Sequence, residues 1–252
     1  MLFRLALSTM IERKSFVLAL FFVLTVPFAL PYLTPWEETP VVIEPARAQA
    51  AWACLWLVTL GWLFYQGSDM GWRYSANGLF QYAKSLGVSK WSRLCQLWAC
   101  GMIFLVAMVA IALAINVFFC RPHQADEARM WIITCFQYAG LFLLVTSPLL
   151  FLSIALGSRF NSAAAYCFVL GISVYGLFAL PYVELYLQHA TAPLLSLFWY
   201  LSPHYHIADL TSRLVFRMGP MDMTAMGMMT LYFLGLGLVT WSCSYLMFKE
   251  QK

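Results

Sequence analysis

Six stretches of this chain run for about twenty residues or more without one Asp, Glu, Lys or Arg: Ser15–Trp36, Ala48–Ser68, Leu94–Cys120, Met130–Ser158, Phe160–Val183 and Met223–Phe248. Each is long enough to carry a helix across about 30 Å of hydrocarbon. Backbone in hydrocarbon has no water to bond, so a helix that satisfies its own amides is the economical way across. The expected fold is therefore all-α and integral to a membrane, with six transmembrane helices in a single domain over residues 1–252.

Composition agrees. The 252 residues are 62% hydrophobic and 10% charged, against about 25% charged in ordinary soluble domains. Wrapping that much apolar surface in so little charge is not feasible for a soluble globule. The seven cysteines contain no CxxC pair and fall mostly in apolar runs, where a thiol behaves as a small hydrophobe. Neither a disulfide scaffold nor a zinc knuckle is expected. Glu12, Arg13 and Lys14 precede the first run, which is too long for a signal-peptide core and is read as a retained span.

A seventh charge-free stretch, Leu185–Ala208, is interrupted by Pro193 and Pro203. Its continuous apolar core, Ala192–Leu201, covers about half a crossing. The outer segment 184–222 is thus expected to be re-entrant. Two short helices over Ala192–Arg217 should break near Pro203, with Ser202 at the break, because proline removes a backbone donor and disfavours helix in the residue before it. Lys and Arg then give an orientation. With six spans, ten of the 15 basic residues lie on the side holding both termini and the loop Asp69–Arg93. The positive-inside rule makes that side cytoplasmic. Ahead of the first span, residues 1–14 read as an amphipathic interfacial helix, and the Pro-rich stretch Pro35–Pro45 reads as an outer loop.

Three segments carry the functional expectations. In the loop 67–93, Ser75 can cap a helix whose face is Leu79, Tyr82, Ala83 and Leu86. Asn77, Gln81, Lys84 and Ser85 take the rest of its surface, Gly87 ends it, and Ser89 restarts helix toward the third span. Such a helix either transmits force from a soluble partner or simply anchors the loop at the interface. Docking would bury Leu79, Phe80 and Tyr82 as apolar anchors over Tyr74–Leu86. The second segment is Pro203, His204, His206 and Asp209, where imidazoles beside a carboxylate match metal-ligand chemistry. Hydrogen bonding to backbone or water is the plainer use of those histidines. The third is Ser147-Pro148 in the fourth span, a potential kink, with Gln137 and Thr134 placed to bond between helices. No phosphate-binding Gly-rich loop with its lysine occurs. Gly171-Ile172-Ser173 lies in the fifth span, but the sixth offers no histidine base for a serine protease.

This layout resembles an ABC transporter permease of the type-2 exporter class. Residues Gly78-Leu79-Phe80-Gln81-Tyr82-Ala83-Lys84-Ser85-Leu86-Gly87-Val88-Ser89-Lys90-Trp91 resemble that class's coupling-helix segment. Tyr200-Leu201-Ser202-Pro203-His204-Tyr205-His206 resembles a run in its gliding-motility and copper-enzyme-maturation permeases. Ala76-Asn77 stand where the class carries an acidic residue, and Gly87 where it carries a proline. The resemblance implies a permease subunit without its own nucleotide site. It implies a separate ABC ATPase subunit pressing on the coupling helix and a second permease subunit across the pathway. It also implies a bacterial inner membrane, with lipid contact and neither cofactor nor nucleic acid. Two rivals remain: an integral-membrane enzyme or cofactor-handling protein using His189, His204 and His206, and a non-transporting scaffold.

Overall fold

The computed structural model describes residues 1–33, 43–189 and 192–249. Every element among them is helical. Six helices are long and apolar enough to cross a membrane. We number them span 1 (Ser15–Leu33), span 2 (Ile43–Ala76), span 3 (Lys90–Phe119), span 4 (Ala125–Arg159), span 5 (Ser162–Gln188) and span 6 (Met223–Met247). The chain is a multi-pass helical membrane protein. Residues 34–42, within the expected outer loop Pro35–Pro45, lie outside the described residues, as do Glu250 and Lys252.

Spans 2 and 4 form the centre. With 34 and 35 residues, each reaches about 50 Å at about 1.5 Å per residue, well beyond the hydrocarbon thickness. In lipid no hydrophobic gain drives helix on helix, so close backbone approach through small residues supplies the packing. A Cβ added at Gly71 would collide with the Ile154 backbone carbonyl, and one at Gly157 with that of Ser68. The aromatic layer above this contact stacks Trp52 on Tyr138, ring centroids 4.0 Å apart and both side chains fully buried.

The N-terminal helix, Leu2–Glu12, turns Leu2, Ala6 and Met10 inward against span 3. Arg13, just after it, donates to Asp69 Oδ2 at 2.6 Å and to Gln66 at 3.2 Å. Arg73 reaches the other oxygen of Asp69 at 2.9 Å. Here the expected organisation is corrected. Asp69 is no loop residue but sits 2% exposed in span 2, which continues as helix to Ala76 rather than ending at Ser68. Ser75 is buried near the end of that helix and caps nothing. Span 5 likewise runs past Val183 to Gln188, because Pro181 falls where the helix tolerates a missing donor near the π-turn Tyr175–Ala179. The outer segment therefore starts later than residue 184. Pro148 lies inside the continuous helix Ala125–Arg159.

Candidate functional site

At the face that gathers the N-terminal helix and the end of span 6, a seven-residue helix, Leu79–Ser85, hangs between spans 2 and 3. Its limits are local. Asn77 closes span 2, and Gly78 adopts φ +69, a left-handed turn that glycine enters without penalty. Gly87 repeats the device at φ +78, and Ser89 caps span 3 by accepting from the Ser92 amide at 3.2 Å. The helix is shorter than the expected Tyr74–Leu86 because span 2 has taken the residues up to Ala76.

The orientation of this helix separates the expected docking residues. Phe80 is 1% exposed, packed between Tyr74 and Phe248 at centroid distances of 6.1 and 4.8 Å. Arg93, itself buried, donates to the Phe80 carbonyl at 2.6 Å. Phe80 thus keys the helix into its own chain and is not an outward anchor. Leu79 is half-buried, while Asn77, Gln81, Tyr82, Lys84, Ser85 and Leu86 are exposed. Tyr82, at 52% exposure, is the aromatic side chain that this helix presents outward.

At the other end of the bundle the outer segment contains a helix over Pro193–Leu201, a single 3-10 turn at Tyr205–Ala208 and a short helix Thr211–Val215. Ser202 ends the first helix in extended geometry, as expected from Pro203. The segment enters the bundle. Pro203 and Tyr205 press on span 5 at Gly176, where a Cβ would lie 2.6 Å from the Pro203 carbonyl and 2.5 Å from the Tyr205 ring. Tyr205 is 4% exposed, and burial pushes its hydroxyl pKa upward. His204, Tyr205 and Ala208 are buried against the helices, Ser202 and Pro203 are half-buried, and Asp209 is exposed.

His204 and Asp209 are committed to different partners. The His204 amide donates to the Tyr232 hydroxyl at 3.0 Å, and its Nδ1 lies 3.3 Å from the same oxygen. Desolvation, then the neighbouring His206, lowers the His204 pKa. Asp209 Oδ1 instead accepts from Tyr138 at 2.5 Å and from the Thr211 amide at 3.0 Å. Trp56 completes the cluster by donating to Tyr138 at 3.1 Å. Asp209 is thereby a clamp between the outer segment and spans 2 and 4. Among the described residues no group of three His, Cys, Asp or Glu side chains is placed to hold a metal. His189 follows Gln188 at the end of the same helix, and its side chain lies outside the described residues.

Sequence reasoning missed the Asp69 cluster, the Tyr138 clamp and the seat of Gln137. Gln137 grips the backbone of Met221 in both directions, at 3.0 and 2.8 Å. Among the described residues Thr134 bonds within its own helix, at the Met130 carbonyl. One signal was available for the first: Gly67 and Gly71 are spaced as a small-xxx-small pair across Asp69, a pattern of close helix packing rather than of a loop. Compared with known proteins, the chain matches no family model, no curated protein and no solved structure.

Proposed function

We propose that this chain is the membrane-spanning permease subunit of an ATP-driven ABC transporter, an exporter that works with a separate ATPase subunit and a second permease subunit. It would sit in a bacterial inner membrane with both termini cytoplasmic. One observation supports this reading above the others: the short helix Leu79–Ser85 is keyed inward through Phe80 and turns Asn77, Gln81, Tyr82, Lys84 and Ser85 outward. It is fixed between the ends of spans 2 and 3, so a push on it is delivered to those two spans rather than absorbed by a slack loop. The excess of Lys and Arg on the same side supports the cytoplasmic assignment. ATP-induced closure of two ATPase subunits would then drive the terminal halves of two permeases together.

The test is Tyr82→Ala in the full chain, coexpressed with the product of an ATPase gene adjacent to its own. Truncating an interface aromatic costs roughly 2 kcal/mol or more, so copurified ATPase should fall by at least about tenfold while membrane insertion is unchanged. Undiminished ATPase retention and transport would overturn the coupling role. An interfacial anchor would instead show weaker membrane seating with no partner to lose.

A further inference from the structure

Span 6 is the least buried of the six spans, yet it is held near both ends. On the side of the termini Phe248 is 3% exposed and meets Phe80 edge-on at 4.8 Å, which ties it to the helix Leu79–Ser85. The Lys249 amide then donates to Ser158 Oγ of span 4 at 3.1 Å. Toward the outer side the Tyr232 hydroxyl accepts from the His204 amide and stands 3.3 Å from His204 Nδ1. Tyr205, next in the chain, shares a closed cleft with Phe233 and Gly237 of span 6 and Pro148 of span 4. From Tyr232 to Phe248 the helix runs about 24 Å, at about 1.5 Å per residue.

Between these attachments span 6 is built to move as one piece. It contains no proline, so its backbone bonds run unbroken. Its contact with span 4 is made by small residues. Gly237 lies against the Pro148 ring, where a Cβ would stand 3.1 Å away, and Ser244 is fully buried. Such residues bring helices close without interlocking side chains, and packed helices shift past one another by small shear steps. A cavity of about 350 Å³ between spans 3, 4 and 6 leaves room beside that contact. Span 4 is the poorer carrier, because Gly157 fixes it against the Ser68 backbone of span 2.

We propose that span 6 couples the helix Leu79–Ser85 to the outer segment, with Phe248 receiving the movement and Tyr232 delivering it. A displacement of Phe80 shifts Phe248, span 6 slides along span 4 at Gly237 and Ser244, and the Tyr232 hydroxyl carries His204 with it. Asp209 and Met221 stay clamped to span 4 by Tyr138 and Gln137, so the response is confined to residues 204–208. Phe248 and Tyr232 are thus positioning residues. The coupling does not depend on the transporter reading, because any force on Leu79–Ser85 travels the same way.

The experiment is hydrogen exchange of the full chain in lipid nanodiscs at one pH, comparing residues 204–208 with residues 211–215. Phe248→Ala should lower the protection of 204–208 at least about fivefold, the lower end of coupling between distant sites, and leave 211–215 unchanged. Tyr232→Phe removes the hydroxyl that holds His204, so adding Phe248→Ala to it should cost 204–208 nothing further. Protection of 204–208 that survives Phe248→Ala would overturn the coupling, and so would losses from the two variants that simply add. Equal losses at 204–208 and 211–215 would make Phe248 a general support of the fold and overturn its positioning role. If Phe248→Ala also loosens spans 2 and 4, Phe248→Leu keeps the apolar bulk without the ring edge and is read by the same outcomes.

Discussion

Spans 4 and 6 both carry long apolar stretches without charge, Met130–Ser158 and Met223–Met247, yet they have opposite surroundings. In the most hydrophobic window of span 4, 78% of residues are buried within the chain; in span 6 the figure is 6%. Hydropathy does not explain the difference, because span 2, at 67% buried, is less hydrophobic than span 6. What separates them is where small and polar residues meet a partner. Gly157 of span 4 meets the backbone of span 2, and Tyr138 and Gln137 bond to the outer segment. Span 6 touches span 4 closely at Gly237, where a Cβ would stand 3.1 Å from the Pro148 ring. Beyond that point it turns Leu231, Leu238, Val239 and Leu246 outward.

The largest effect should come from glycine. Gly157→Leu places a side chain inside the Ser68 backbone, and overpacking of that kind costs about 3 kcal/mol or more. The chain should lose its monodisperse form in detergent. Gly235→Leu in span 6 is the matched control, since nothing lies within 4 Å of the added Cβ, and its unfolding temperature should stay close to that of the unaltered chain. Equal sensitivity at the two glycines would erase the contrast between the spans.

A smaller loss is expected at the ion cluster. Asp69→Asn leaves Arg13 and Arg73 without their carboxylate, and Arg13 is a quarter exposed, so water recovers part of the loss. About 1–3 kcal/mol should remain, seen as faster proteolysis after the N-terminal helix with the six spans still inserted. If the N-terminal helix stays as protected as before, the cluster does not hold it.

The smallest effect is one of pH, where the outer segment leans on span 6. His204 has a lowered pKa in the fold because of desolvation and His206, while Trp199 and Tyr232 pack on its ring. Glu184 acts against the shift. The unfolded segment therefore takes up the proton first. Stability contributed by neutral His204 is complete above about pH 6.5 and declines as pH falls through that value toward the lowered pKa. The opening free energy of residues 202–208, from hydrogen exchange corrected for the intrinsic pH dependence of amide exchange, should fall on acidification, and His204→Gln should flatten that dependence. A slope unchanged in that variant would assign the titration to another group.

Crossing a membrane depends on local length and on the exclusion of charge, so the six spans, the break at Ser202-Pro203 and the stops at Gly87 and Ser89 could be read residue by residue. Transfer from water and backbone conformation are properties of each segment taken alone. Side-chain direction is not. Phe80 and Tyr82 look alike as apolar anchors on one short helix, and it is Tyr74, Arg93 and the distant Phe248 together that turn Phe80 inward. Asp69 reads as a loop charge until Arg13 meets it. Asp209 reads as a metal ligand until Tyr138, 71 residues away, takes its carboxylate. These decisions belong to the tertiary structure because a buried polar or aromatic group is stable only beside its partner, and distance along the chain does not say which partner will come.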